Sequence, residues 1–160
     1  MAYQWERTAA AHKEPVDYVN PNIGTLSWKT WSTSPTVQLP HGMAEVDPVT
    51  PPGIGDEYLA DRILGFSLGA SAIMATAGTL EIDPQANASE FDHDLETASP
   101  YFYAVLLEDY GIQAMYTVTE HCIYYRFVFP PSSTAHLLLS AEGLNCNCVP
   151  EAHPVIPTPP

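Results

Sequence analysis

The groups able to move protons, hold metals or attack a substrate in this 160-residue chain are six histidines, 19 acidic side chains and three cysteines. Their spacing does little to assemble them. There is no His-Glu-x-x-His pair, no Gly-x-Ser-x-Gly elbow and no glycine loop leading into a helix that would cradle phosphate. The "GIG" at residues 53–55 lies between prolines and acids, the wrong setting for a phosphate. His93, in "DHD", has a carboxylate on either side and could be held as a base, but an imidazole in a polar loop reads first as a solvated one. His121 and His136 fall at strand starts and read as packing or edge residues. His41, beside Gly42 in "LPHGM", is the histidine best placed for a site, although a structural role explains it as well. A glycosidase needs two carboxylates flanking one bond, and nothing here singles out a pair. Trp28, Trp31, Tyr58 and Tyr101 could stack on a sugar ring, or fill a β core. Asn87-Ala88-Ser89 fits a glycosylation acceptor.

Cys122 sits in an apolar run and is expected to be a buried structural thiol. Cys146 and Cys148 flank one residue, a poor spacing for a disulfide and a weak one for zinc. The formal net charge is −14, which argues against nucleic acid or an anionic membrane as partner, since both require clustered lysine or arginine. Acidity of this kind serves solubility, and no aspartate-rich loop points to calcium. With 46% apolar residues the chain should fold as one domain. No stretch is long and apolar enough to span a membrane, and the first fourteen residues lack the apolar core of a signal peptide.

The elements that must position these groups are strands. "YFYAVLLE", the turn "DYG", then "IQAMYTVT" and "HCIYYRFVF" alternate with period two, and after "PPSST" comes "AHLLLS". Such runs, broken by Gly and Pro, predict an antiparallel meander. In "HCIYYRFVF" His121, Ile123, Tyr125, Phe127 and Phe129 share one face, with Cys122, Tyr124, Arg126 and Val128 on the other. "TVQLPHGMAEVDP" reads as a short strand interrupted by proline. "ADRILGFSLGASAIMATAGTLEI" could be a strand pair or a helix over residues 70–75. Its glycines favour extended structure. "DPQANASEFDHDLETASP" reads as a polar surface loop. The fold expected is all-β, an incomplete antiparallel β-sandwich over residues 17–143. Residues 1–16 form a disordered or extended lead, and residues 144–160 a proline-rich tail.

Several stretches come in one order: "DYVNPNIGT", "SPTVQLPHGM", "DRILGFS", the passage from "FDHDLETASPYFY" into the meander, and "AHLLLS". The set resembles the amino-terminal domain of glycoside hydrolase family 92, the calcium-dependent exo-acting α-mannosidases. The family motifs Y-V-N-P-x-I-G-T, P-x-G-M and H-x-x-E-x-A-x-P match at residues 18–25, 40–43 and 93–100, and D-x-x-I-x-G-F-S corresponds to residues 61–67 with one residue fewer between Asp61 and Ile63. Where better-known members continue G-F-S into a histidine-rich stretch, this chain reads "GFSLGASAIM". Their glycine-tryptophan loop is replaced by "PPGIGDEY".

The resemblance implies a supersandwich-like β domain docked on an (α/α)₆ helical domain that supplies the general acid, the general base and calcium. No catalytic or metal-binding position carries over to this chain, which is expected to be inactive alone. Trp28, Trp31, His41, Tyr58 and Asp61 are the residues expected to touch a glycan ending in α-mannose or a related sugar. An extracellular or periplasmic setting goes with that substrate. A free-standing carbohydrate-binding module is the alternative reading, and a mutarotase-like enzyme ranks behind it.

Overall fold

The structure is a computed structural model, and it describes residues 14–25, 33–51, 60–69, 71–81, 83–131 and 134–140. Twelve strands lie among them: β1 Val37–Gln38, β2 Glu45–Val46, β3 Pro48–Val49, β4 Arg62–Ile63, β5 Gly65–Leu68, β6 Ser71–Ala77, β7 Ser89–Glu90, β8 Thr97–Ser99, β9 Phe102–Leu107, β10 Ile112–Val118, β11 Ile123–Val128 and β12 Ala135–Ser140. The helical turns among the described residues are short 3₁₀ segments at Pro15–Tyr18, Pro84–Asn87 and His93–Leu95. Of the two readings of the glycine-punctuated stretch around residues 60–82, extended structure holds over the described residues. Ser71–Ala77 is strand, as the punctuating glycines favoured.

Among the described residues all pairings are antiparallel. One four-stranded sheet has the order β11-β10-β9-β8 and a second the order β12-β6-β5-β3, with two-stranded ribbons β1-β2 and β4-β7 beside them. The β9–β10–β11 meander is the predicted one, with Leu107 opposite Ile112 and Val118 opposite Ile123. Gly111, at φ +61°, closes the first of its turns in a conformation that suits glycine. The expected meander ends there. "AHLLLS" leaves the β11 sheet and pairs with β6 in the other one, Leu139 opposite Ile73. Alternation predicts that a run is a strand, but not which sheet edge it joins.

The core lies between the sheets. Phe66 and Ala75 from one face Tyr103, Val105, Ile112 and Tyr116 from the other, and all are buried. Tyr116 stacks on Tyr103 at 5.0 Å between ring centroids and leans on Phe66 at 5.5 Å. The Tyr125 hydroxyl of β11 donates to the Ser67 carbonyl of β5, a hydrogen bond that joins the sheets. Burial, reinforced by the charge of Asp47, pushes the Tyr125 hydroxyl above the ordinary tyrosine pKa.

Two expectations need correction. Residues 83–100 are more than a polar surface loop. Asn87, Ala88, Ser89, Phe91 and Ser99 are buried, and the stretch contributes β7 and β8. Asp83 and Asp92 cap the backbone of its 3₁₀ turns, so short polar caps carry apolar residues inward. Cys122 is exposed, because the strand begins at Ile123 and Cys122 falls in the turn before it, where its amide donates to Thr119 Oγ1.

Candidate functional site

The motif at residues 17–25 folds as a strap of turns. Asn20 accepts the Asn22 amide at 3.0 Å, an Asx turn of the kind Asn-Pro sets up. Gly24 has φ +96°, and a Cβ there would meet Thr33 Oγ1 at 3.0 Å. The sequence asked for a glycine able to adopt positive φ, and the strap uses it. Thr25 is buried and its hydroxyl donates to the Asn22 carbonyl at 2.8 Å.

Polar side chains latch this strap to the sandwich. Asn22 Nδ2 donates to Glu96 Oε1 at 3.1 Å, and the Tyr103 hydroxyl donates to Glu96 Oε2 at 2.8 Å. Glu96 has a side chain only 3% exposed, with His93 Nδ1 lying 3.9 Å from its Oε1. Alongside, the Tyr101 hydroxyl donates to Asp17 Oδ1 at 3.1 Å. A carboxylate this deep is tolerable because both oxygens accept hydrogen bonds. His93 is therefore half-buried against Glu96 and the Phe91 ring, 4.5 Å away, rather than held between its neighbouring aspartates. Asp92 instead accepts the Asp94 amide. The Asn22 Oδ1 atom is buried and accepts no hydrogen bond among the described residues.

His41 occupies a second place. It is exposed at the turn between β1 and β2, with φ +62°, a left-handed backbone in a residue other than glycine. Such a conformation costs about 1–3 kcal/mol and tends to be kept where a side chain must be aimed. The turn rests on the β10–β11 connection, where the Met43 and Ala44 amides donate to the Glu120 carbonyl at 2.7 and 3.3 Å. Gly42 packs closely there, and an added Cβ would lie a tight 3.2 Å from the Leu39 carbonyl oxygen.

Asp61 is exposed just before β4, and its carbonyl accepts the Phe91 amide. No hydrogen bond or ion pair among the described residues joins it to His41. Next to it Arg62 clamps the β4–β7 ribbon to the β9–β10 turn, donating to the Ala88 carbonyl at 2.7 Å and to Asp109 at 2.9 Å. Trp28, Trp31 and Tyr58 lie outside the described residues.

Asn87 is a poor glycosylation acceptor in the folded chain. It is 3% exposed, and its Nδ2 donates to the Glu81 and Asp83 carbonyls. Among the described residues no three His, Cys, Asp or Glu side chains gather as metal ligands. No helix of the described residues is long and apolar enough to cross a membrane. Sequence reasoning did not rank Asn22, Glu96 and Tyr103 as functional. The available signal was that two recurring motifs, some 70 residues apart, each held one half of a hydrogen bond.

Comparison with known proteins agrees with this fold. Residues 18–151 match the family described as "Glycosyl hydrolase family 92 N-terminal domain". Among solved structures, the α-mannosidase BT3965 from Bacteroides thetaiotaomicron superposes with a TM-score of 0.70 at 29% identity, over 78% of this chain and 19% of that one. The inverting mannosidase BT2199 of the same organism gives 0.70 at 27% identity, over 82% and 20%. The family 92 glycosyl hydrolase ccman5 gives 0.58 at 28% identity, over 65% and 17%. The chain thus spans about a fifth of the length of these relatives. A comparison with curated proteins finds no match. The match over most of the sequence and the shared sandwich lead to one assignment: the chain belongs to the glycosyl hydrolase family 92 N-terminal domain family.

Proposed function

We propose that this chain is a non-catalytic β-sandwich that docks on a helical (α/α)₆ domain and helps shape a cleft for glycans ending in α-mannose or a related sugar. The observation that carries the reading is the latch at Glu96. It joins two of the family motifs and spends its polar groups on holding a strap in place. The relatives are named as mannosidases, and the acid, base and calcium of that chemistry are assigned here to the partner domain. The exposed His41, aimed by its strained backbone, and the exposed Asp61 would meet the glycan, with Trp28, Trp31 and Tyr58 as stacking rings. Such work belongs outside the cytoplasm, in the periplasm or the medium.

Titration calorimetry with α-mannosides tests the reading against its alternative. A free-standing binding module would give heat at millimolar ligand that His41→Ala reduces. The docking domain is expected to give none until a helical partner is added.

A further inference from the structure

The strap at residues 14–25 is bonded mostly to itself. The amides of Asp17, Val19, Ile23 and Thr25 donate to the carbonyls of Glu14, Val16, Asn20 and Asn22. Pro15, Pro21 and the Asx turn at Asn20 restrict its backbone further. Two side-chain bonds to carboxylates tie it to the sandwich. Asn22 Nδ2 donates to Glu96 Oε1 at 3.1 Å, and the Tyr101 hydroxyl donates to Asp17 Oδ1 at 3.1 Å. Val16, Val19 and Ile23, at 42, 54 and 78% exposed, add little buried apolar area. The far end is held differently. Thr25 is buried, and the Thr33 amide donates to the Gly24 carbonyl at 3.0 Å. Gly24, at φ +96°, stands between the loosely tied part and the fixed one.

We propose that residues 14–23 lift from the sandwich and return as one strap hinged at Gly24, in a local opening that leaves both sheets folded. Segments open locally where few apolar contacts are lost, and the aliphatic side chains of this one already face solvent. Its two ties are exchanged for hydrogen bonds to water, while the freed backbone regains conformational entropy. Parting the sheets is far harder, since Tyr103, Val105, Ile112 and Tyr116 bury their side chains between them. The Tyr103 hydroxyl donates to Glu96 Oε2 whether the strap is open or closed, so the carboxylate keeps its place and the strap returns to a fixed acceptor. Opening withdraws the Asn22 donor from a carboxylate only 3% exposed in the closed form, and lets a hydroxyl or amide from outside compete for that position.

Hydrogen exchange on the full chain tests this, read by mass spectrometry on peptides covering residues 14–25 and β10 at rising, sub-denaturing urea. The strap peptide is expected to exchange faster and to respond little to urea, because its opening exposes little new surface. The β10 peptide should respond steeply. Asn22→Ala should raise strap exchange about ten-fold or more and leave β10 exchange within about two-fold. Tyr101→Phe removes the other tie, keeps the ring, and should raise strap exchange about three-fold. Exchange of the two peptides in step as urea rises means one cooperative unit and overturns the proposal. A substitution that leaves strap exchange unchanged, or speeds both peptides equally, overturns it as well.

Discussion

Strands β10 and β12 are alike in sequence and opposite in fate. Both are uncharged runs of mostly apolar residues, yet β10 is buried along most of its length while β12 alternates between exposed and half-buried. The face of β12 that carries Leu137 and Leu139 is an inner one. Leu139 is opposite Ile73, Ile73 is opposite Phe66, and the Phe66 ring packs on Tyr116 across the sandwich. These leucines are nonetheless 56% and 69% exposed. β10 has a neighbour on either side and a sheet over its face, whereas β12 is a sheet edge among the described residues. Amphipathic patterning states what a strand can bury, and neighbours decide what it does bury.

The sharpest way to break this contrast is to truncate one residue from each side. Tyr116→Ala should cost about 3–5 kcal/mol in urea unfolding, since its ring contacts Phe66, Tyr103 and Tyr125. Leu139→Ala should cost less than about 1 kcal/mol. Equal losses would mean that the β12 edge is covered. Next in size is the latch. Glu96→Ala leaves the Asn22 amide and the Tyr103 hydroxyl without their acceptor, at a cost of about 1–3 kcal/mol. Proteolytic cleavage within residues 14–25 should rise with it.

Tyr125→Phe removes the bond between sheets and should cost about 1 kcal/mol. It also sharpens the picture through pH. The folded pKa of Tyr125 is raised by burial and by Asp47, so the unfolded chain gives up its proton first. Stability is then complete below about pH 10 and falls as pH rises beyond it. The phenylalanine variant should show a flatter alkaline slope. The smallest effect on stability belongs to Leu137→Thr with Leu139→Thr, within about 0.5 kcal/mol. Because edge β12 carries no charge, proline or other blocking feature, self-association by sedimentation should still drop in that variant.

The strands from Phe102 to Val128 were legible because alternation, turn residues and pairing register all agree there. β7 and β8 were not, since two or three residues inside an acidic stretch give no period to read. Their positions depend on Arg62 and on the 3₁₀ caps, which are tertiary and local polar effects invisible to hydropathy. The exposure of Cys122 was missed for a related reason. The alternation was extended across a turn that Thr119 and Cys122 close by their own hydrogen bonds. Of the candidate site, His41 and Asp61 could be named from motifs, but the latch could not. A hydrogen bond between Asn22 and Glu96 leaves no pattern in composition, only two motifs far apart in the chain.

The account stands most directly on one assay. Purified chain is incubated with an α-mannoside and calcium, and released sugar is measured. No release above the blank is expected, with or without the metal. Release that disappears on His41→Ala or Asp61→Ala would contradict it, because the catalytic groups would then lie within this sandwich.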